Sequence, residues 1–378
     1  MITRRSLGFV VLSATLALAT GCTKRNKNEI VIGHFGSMTG AEATFGKSTD
    51  EGIRLAVEET NAAGGIKGKQ IRLITMDNQG KAEEAAAVAT RLIEQEKVTA
   101  LLGEVASSRS LAVAPIAQKK KVPMITPSST NPRVTEMGDY IFRTCFIDPF
   151  QGLVMAKFAY ENLKLRKVAV LRAVNSDYSM GLSKVFVEKF TEMGGQIVAD
   201  TSYQSQDVDF KAQLTQIKSA GPEGIFIPGY YTEIGLIARQ AAELGLKIPL
   251  MGGDGWDSPK LFEIGQETIN GNYFSNHYSN ESSDPVAVAF MESFKKRFNK
   301  SPDGLSAAGY DAAKVLFAAM EKAPDLSGPA IRDAIAATKD YPGVTGTITI
   351  NQQRNAVKSA VVVQVQGTTN KYITTINP

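Results

Sequence analysis

The chain is 378 residues long, 43% hydrophobic and 21% charged, with a formal net charge of +4. That composition is globular and excludes a disordered or fibrous chain, while the length exceeds one ordinary hydrophobic core and implies two domains. The small charge argues against nucleic acid as a partner, because the basic run Lys119-Lys-Lys121 has no aromatic residues interleaved with it.

Residues 1–22 read as an export signal. Arg4 and Arg5 precede an apolar stretch at 7–19 that is too short to remain as a membrane-spanning helix, and Leu18-Ala-Thr-Gly-Cys22 closes it with small residues ahead of a cysteine. The pattern resembles the lipobox of bacterial lipoproteins, with Ala19 where that group usually has leucine. The resemblance implies that Cys22 is lipidated and holds the protein to a membrane outside the cytoplasm. Residues 23–28 then form a polar tether. Cys145 is the remaining cysteine, which leaves no intrachain disulfide once Cys22 is lipidated. Within the apolar run 140–146 it is expected as a packed strand residue.

Strands and helices alternate after the tether. Strands are predicted at 30–35, 70–76, 99–103 and 121–126, with helices at 47–62, 81–96 and 107–118 between them. The pattern restarts with strands at 167–171, 196–199, 224–228 and 248–252 and helices at 180–193, 210–219 and 233–244. Such alternation implies right-handed βαβ units, each a parallel sheet with helices on both faces. Local echoes support two similar lobes: Thr44-Phe-Gly46 is answered by Asp177-Tyr-Ser179, and Gly64-Gly65 by Gly194-Gly195. Their offset of about 130 residues is domain-sized. A strand at 271–277, helices at 282–298, 307–322 and 329–338, and strands at 346–350 and 360–366 are too few for a third domain. They are expected to return and complete both lobes across several hinge crossings.

Catalytic and metal signals are sparse. His34 and His277, the two histidines, sit near strand ends where a structural role is expected, and zinc lacks ligands without a cysteine pair. No Gly-x-Ser-x-Gly elbow occurs. Gly46-Lys-Ser48 approximates a phosphate loop, but Ala41 stands where the first glycine belongs and Gly40 comes one residue early, so no nucleotide is expected.

The strand ends carry more. Gly103-Glu-Val-Ala-Ser-Ser-Arg109 opens a helix, which puts Ser107 and the following N–H groups at a positive terminus suited to a carboxylate. Val122-Pro-Met-Ile-Thr-Pro-Ser-Ser-Thr-Asn-Pro132 is a strand opening into hydroxyls at the end where open α/β sheets hold ligands. Ser128, Ser129 and Thr130 there either cap the next segment or grip a small polar molecule. In the second half, strands end in Pro228-Gly-Tyr-Tyr231 and Met251-Gly-Gly-Asp-Gly-Trp256, where Asp254 is either a turn residue or the partner of an ammonium group. An anion site on one lobe and a cation partner on the other suit an α-amino acid zwitterion.

Ile32-Gly33 with Met38-Thr-Gly40, Asn61-Ala-Ala-Gly-Gly-Ile-Lys-Gly68, Met124-Ile-Thr-Pro-Ser-Ser-Thr130 and Met251-Gly-Gly-Asp254 add a family resemblance. Along nearly its whole length the mature chain resembles the leucine/isoleucine/valine-binding proteins, the exported receptors of branched-chain amino-acid ABC transporters. The resemblance implies an α/β type I periplasmic-binding fold, two doubly wound Rossmann-like lobes joined by a three-strand hinge. Lobe 1 would comprise residues 29–147 with 278–355, and lobe 2 residues 148–277 with 356–378. It implies that Ser107, Ser128 and Thr130 of the first lobe, with Tyr230 and Asp254 of the second, hold the ligand's carboxylate and ammonium. Phe45, Val105, Ala106, Tyr178 and Leu305 would shape the side-chain pocket, with Trp256 close by. Phe45, Leu305 and Asp254 depart from the tyrosine, phenylalanine and glutamate usual in the best-known leucine-type receptors. The implied ligand is an aliphatic amino acid and the implied partner an ABC permease with its ATPase subunits, with no cofactor, no enzymatic activity and a monomeric state. Receptors of this fold for an amide, a urea-like solute or an aromatic carboxylate, and a ligand-sensing module, stay open as alternatives; an exported enzyme has no local signature.

Overall fold

The computed structural model describes residues 28–378, so the leader, Cys22 and residues 23–27 of the tether lie outside the described residues. Ile30-Val-Ile32 begins an apolar run buried on both faces, as a strand inside a parallel sheet must be. It forms β1 (Glu29–Gly36), followed by α1 (Ala43–Ala62), β2 (Gln70–Asp77), α2 (Ala82–Glu94), β3 (Ala100–Leu102), α3 (Ser107–Lys120), β4 (Met124–Thr126), α4 (Arg133–Glu136) and β5 (Ile141–Arg143). These strands pair in parallel in the order β2-β1-β3-β4-β5. α2 and α3 cover one face of the sheet and α1 the other.

The second sheet repeats the scheme. α5 (Asp148–Lys157), widening into a π-helical turn at Phe158–Asn162, leads to β6 (Lys167–Ala173), α6 (Asp177–Glu192), β7 (Gln196–Tyr203), α7 (Lys211–Ala220), β8 (Gly224–Phe226), α8 (Tyr231–Glu243) and β9 (Leu250–Gly252). A 3-10 turn at Asp254–Trp256, α9 (Lys260–Gly265) and β10 (Tyr273–Asn276) follow. β7-β6-β8-β9-β10 are parallel and in the same switched order as the first sheet. Strand order therefore reverses between β1 and β3 and between β6 and β8, where an open α/β sheet leaves a crevice at its carboxyl edge.

The last part of the chain serves both sheets. α10 (Pro285–Phe298), α11 (Gly304–Lys322), α12 (Gly328–Ala336) and a small sheet of β11 (Tyr341–Gly343), β12 (Gly346–Ile350) and β13 (Ala356–Val357) pack on the first lobe. β14 (Ala360–Gln366) and β15 (Thr369–Ile376) extend the second sheet antiparallel beyond β10. The chain thus passes between lobes at 143–148, 276–285 and 357–360. α1 and α11 meet backbone to backbone: a Cβ on Gly52 would lie 1.9 Å from the Ser306 carbonyl oxygen, and one on Gly309 would lie 2.6 Å from that of Thr49.

Several boundaries differ from expectation, each for a local reason. α1 begins at Ala43, so Gly46-Lys-Ser48 is a stretch of helix and not a phosphate loop; Gly46 is pressed so close that a Cβ would stand 2.3 Å from the Ser37 carbonyl oxygen. α11 begins at Gly304 because Asp303 accepts the Ser306 N–H while the Ser306 hydroxyl accepts the Asp303 N–H, a reciprocal cap. α5 escapes the pattern because Pro149 and Gly152 look like breakers, whereas a proline in the first turn is tolerated and Gly152 lets α6 approach. Cys145 is buried, but it lies past the end of β5 and not in the strand.

Candidate ligand-binding site

Ser107 opens α3 behind an extended Ala106 that makes no side-chain cap, so the leading N–H groups of the helix face the crevice without an intrahelical partner. The Ser107 hydroxyl accepts the Asn131 N–H at 3.3 Å, which ties it to the hydroxyl loop after β4. In that loop alternate side chains take opposite sides. Ser129 turns inward, donating to the carbonyl oxygens of Glu104 and Val105 at 2.9 and 3.0 Å. Ser128 reaches the other lobe instead, and the Thr130 hydroxyl is buried beside the Asp148 carboxyl. Arg143, at the end of β5, clamps the loop from beneath by donating to the carbonyl oxygens of Ser129, Asn131 and Pro132 and to the Thr135 hydroxyl.

The opposing wall comes from the corresponding edge of the second sheet. Tyr178 lies in the first turn of α6, Tyr230 caps α8, and Asp254 starts the turn after β9. The glycines around Asp254 permit this crowding: a Cβ on Gly253 would lie 2.3 Å from the Tyr178 hydroxyl, and one on Gly255 would lie 2.6 Å from the Gly229 carbonyl oxygen. The Tyr178 and Tyr230 rings stack with centroids 5.4 Å apart, and Phe45 meets Tyr230 edge-on at 5.3 Å.

Asp254 is the hub. Its Oδ1 accepts from Gln151 Nε2 at 2.8 Å and from the Tyr178 hydroxyl at 3.0 Å; its Oδ2 accepts from the Ser128 hydroxyl at 3.3 Å and lies 2.9 Å from His277 Nε2. Two of these partners correct or extend the sequence reading. His277, expected to be structural, lies on the second crossover as a hydrogen-bond partner of Asp254. Gln151, on the helix that the pattern missed, was not anticipated, and no local motif marks either residue.

The remaining predicted residues divide into two groups. Phe45, Val105, Ala106 and Leu305 of the first lobe join the hydrophobic cluster of the second, together with Tyr178 and Tyr230, so they do meet at the crevice. Trp256 is different. Its indole is wholly buried, donates Nε1–H to the Ile227 carbonyl oxygen at 2.9 Å and packs 6.1 Å from Phe274, so it supports the turn from inside the second lobe. The lobes are in contact around the site: Asn131 Nδ2 donates to the Asp177 carbonyl oxygen at 2.8 Å, Thr232 to that of Ala41 at 2.7 Å, and the Gly304 N–H to Asp257 at 2.6 Å.

Charge inside the crevice is strongly shaped by burial. Asp148, on α5, is buried beside the Thr130 hydroxyl. Burial pushes its carboxyl up to about 7, the Asp254 charge adding to the effect and the nearby Thr130 hydroxyl opposing it. Deeper in the first lobe, Arg109 lies 2.6 Å from Glu42 and 3.0 Å from Glu104. Burial raises the Glu42 carboxyl despite Arg109; it works the same way on Glu104, where Arg109, Asn78 and Ser37 outweigh it and hold the group low. Among the described residues no cluster of histidine, cysteine and carboxylate groups suits a metal ion.

This arrangement can hold a small zwitterion, with the anion on the α3 terminus and hydroxyls and the cation on Asp254. A family model described as periplasmic binding protein matches residues 29–370. A Leu/Ile/Val-binding protein homolog from Brucella melitensis is 30% identical over 348 residues, covering 92% of each chain. The crystal structure of a leucine binding protein from Thermotoga maritima has a TM-score of 0.89 at 44% identity, covering 92% of this chain and 99% of that one. A branched-chain amino acid transporter substrate binding protein from Streptococcus pneumoniae, solved with isoleucine, has a TM-score of 0.88 at 34% identity, covering 93% and 100%.

Proposed function

The chain belongs to the periplasmic binding protein family, and from that premise we propose that it captures an aliphatic amino acid of the branched-chain type between its lobes and hands it to an ABC permease. The observation that carries this reading is the buried Asp254 carboxylate on one wall of the crevice and, on the other, the uncapped N-terminus of α3 with the buried hydroxyls of Ser128 and Thr130. A free α-amino acid supplies the ammonium and the carboxylate that these two walls complement, while Phe45, Val105, Ala106, Tyr178, Tyr230 and Leu305 provide an apolar enclosure for its side chain. Closure is then favoured by the ligand's preference for the closed over the open state. The relatives that match are binding proteins and not enzymes, and the proposed role of this chain is likewise capture without turnover, as a monomer that needs no cofactor. Calorimetric titration of refolded, ligand-free protein against the twenty amino acids is expected to find a leucine-, isoleucine- or valine-like ligand; binding no tighter than millimolar by any of them sinks the proposal.

The proposal extends to location. A receptor that feeds a permease works outside the cytoplasm, and Cys22 would tether it there by a lipid. Among the described residues no helix is long and apolar enough to cross a membrane. Cys22→Ala is therefore expected to move the protein from the membrane fraction to the soluble one, and a variant still found with membranes would refute the anchor.

A further inference from the structure

The Asp254 carboxylate is saturated. Two carboxylate oxygens offer about four lone-pair directions, and Tyr178, Gln151, His277 and Ser128 occupy them. The first three belong to the second lobe or to the crossovers that border it. Ser128 comes from the first lobe and makes the longest of the four contacts, 3.3 Å. An incoming ammonium therefore takes the place of Ser128 and shares the carboxylate with the other three, of which His277 is the one that can change its charge near neutral pH.

His277 sits in a seat built for one proton. Its side chain is 1% exposed, its ring lies 4.0 Å from that of Phe146, and Nδ1 is buried with no partner among the described residues. With Nε2–H given to Asp254, Nδ1 is a bare acceptor; a second proton would bury an N–H donor in the same unpartnered place. We propose that His277 is a positioning residue that sets the charge Asp254 offers to the ligand: the neutral imidazole orients the carboxylate, and the imidazolium neutralises it, so that amino-acid capture expels a proton from this pair and weakens in acid. The inference rests on the amino-acid reading above. Burial already holds the imidazole below its ordinary value, with Asp254 offsetting part of that.

The sign follows from linkage. A ligand ammonium beside Asp254 lowers the histidine's affinity for its proton, so affinity is constant above the ligand-free titration and falls by up to about tenfold per pH unit below it. The other groups facing the pair are Tyr178 from α6, whose phenol burial raises, Cys145 from the first crossover, pushed up to about 12 by burial, and Lys358 from the third, pushed down to about 8 by burial. Tyr178 and Cys145 keep their charge state on acidification from neutral pH, and Lys358 completes its protonation just below pH 7.5. Asp148 on α5 and Asp257 at the end of the turn that Asp254 starts, each pushed up to about 7 by burial, lose their charge, and their protonation also removes negative charge near the ammonium.

Calorimetry with leucine, or with the tightest amino acid of the panel if that differs, should be run from pH 7.5 to 5.0 on wild type, His277→Gln and Asp148→Asn. Wild type is expected to lose affinity several-fold across that range, with about tenfold as the ceiling for a midpoint that ligand moves by a pH unit. Whatever its affinity at pH 7.5, His277→Gln should lose the part of the slope that His277 carries, whereas Asp148→Asn should lose only its own part and keep the rest. An unchanged slope in His277→Gln, or a flat wild type, overturns the inference while the amino-acid reading stands. No binding by wild type at pH 7.5 overturns both. Should His277→Gln fail to fold, the wild type alone decides: it has two histidines, His34 and His277, and ligand should lower the imidazole midpoint of one by about a pH unit. Two unmoved midpoints refute the proposal.

Discussion

Asp254→Ala is expected to weaken amino-acid binding by roughly 2–5 kcal/mol, about thirty-fold to a few thousand-fold, because it removes a desolvated charge partner and leaves the ligand's ammonium buried against neutral groups. The same change leaves Gln151, Tyr178 and His277 without the acceptor they share, so a fall in stability of about 1–3 kcal/mol should accompany it. Thermal melts separate the two effects, since binding is measured well below the melting temperature. Asp254→Asn refines the test: the side chain keeps its shape and one acceptor oxygen but no charge, and affinity should still collapse. A variant that binds its ligand within a few-fold of wild type would mean that the ligand carries no ammonium, and an amide or an aromatic carboxylate would replace the amino acid.

Arg143→Met should have the largest effect on stability, roughly 3–5 kcal/mol. The guanidinium is wholly buried and donates to the carbonyl oxygens of Ser129, Asn131 and Pro132 and to the Thr135 hydroxyl. Methionine fills similar space and satisfies none of them. The loop that carries Ser128 and Thr130 then loses its support from beneath, so ligand affinity should fall with stability. Arg143→Lys should recover only part, because one ammonium cannot reproduce a planar fork that spans several acceptors. Urea unfolding gives the midpoint and calorimetry the affinity. A loss under about 0.5 kcal/mol would refute the clamp, that being the range of an ordinary surface substitution.

Much of the scaffold was legible because it is written in local burial. β1 and β6 are apolar on both faces, and both sheets use the same order of strands after the same echoes of sequence. The candidate site was legible where chemistry was concentrated in one stretch: the hydroxyls at 128–130, the serine opening α3, and an aspartate among glycines at 254. The misreadings are of another kind. Gly46 falls inside α1 because the chain packs against Ser37, and α11 starts early because Asp303 and Ser306 cap each other.

By itself, then, the sequence determined the two-lobe α/β architecture and the strand ends that meet at the crevice, since periodicity and turn residues report what each segment buries near itself. The tertiary structure decided which distant side chains surround Asp254. His277 and Gln151 stand 23 and 103 residues from Asp254, and Arg143 supports a loop whose facing hydroxyls were indistinguishable from the inward one. Such contacts arise where separate crossovers converge, and a hydrogen bond between distant segments leaves no period in either of them.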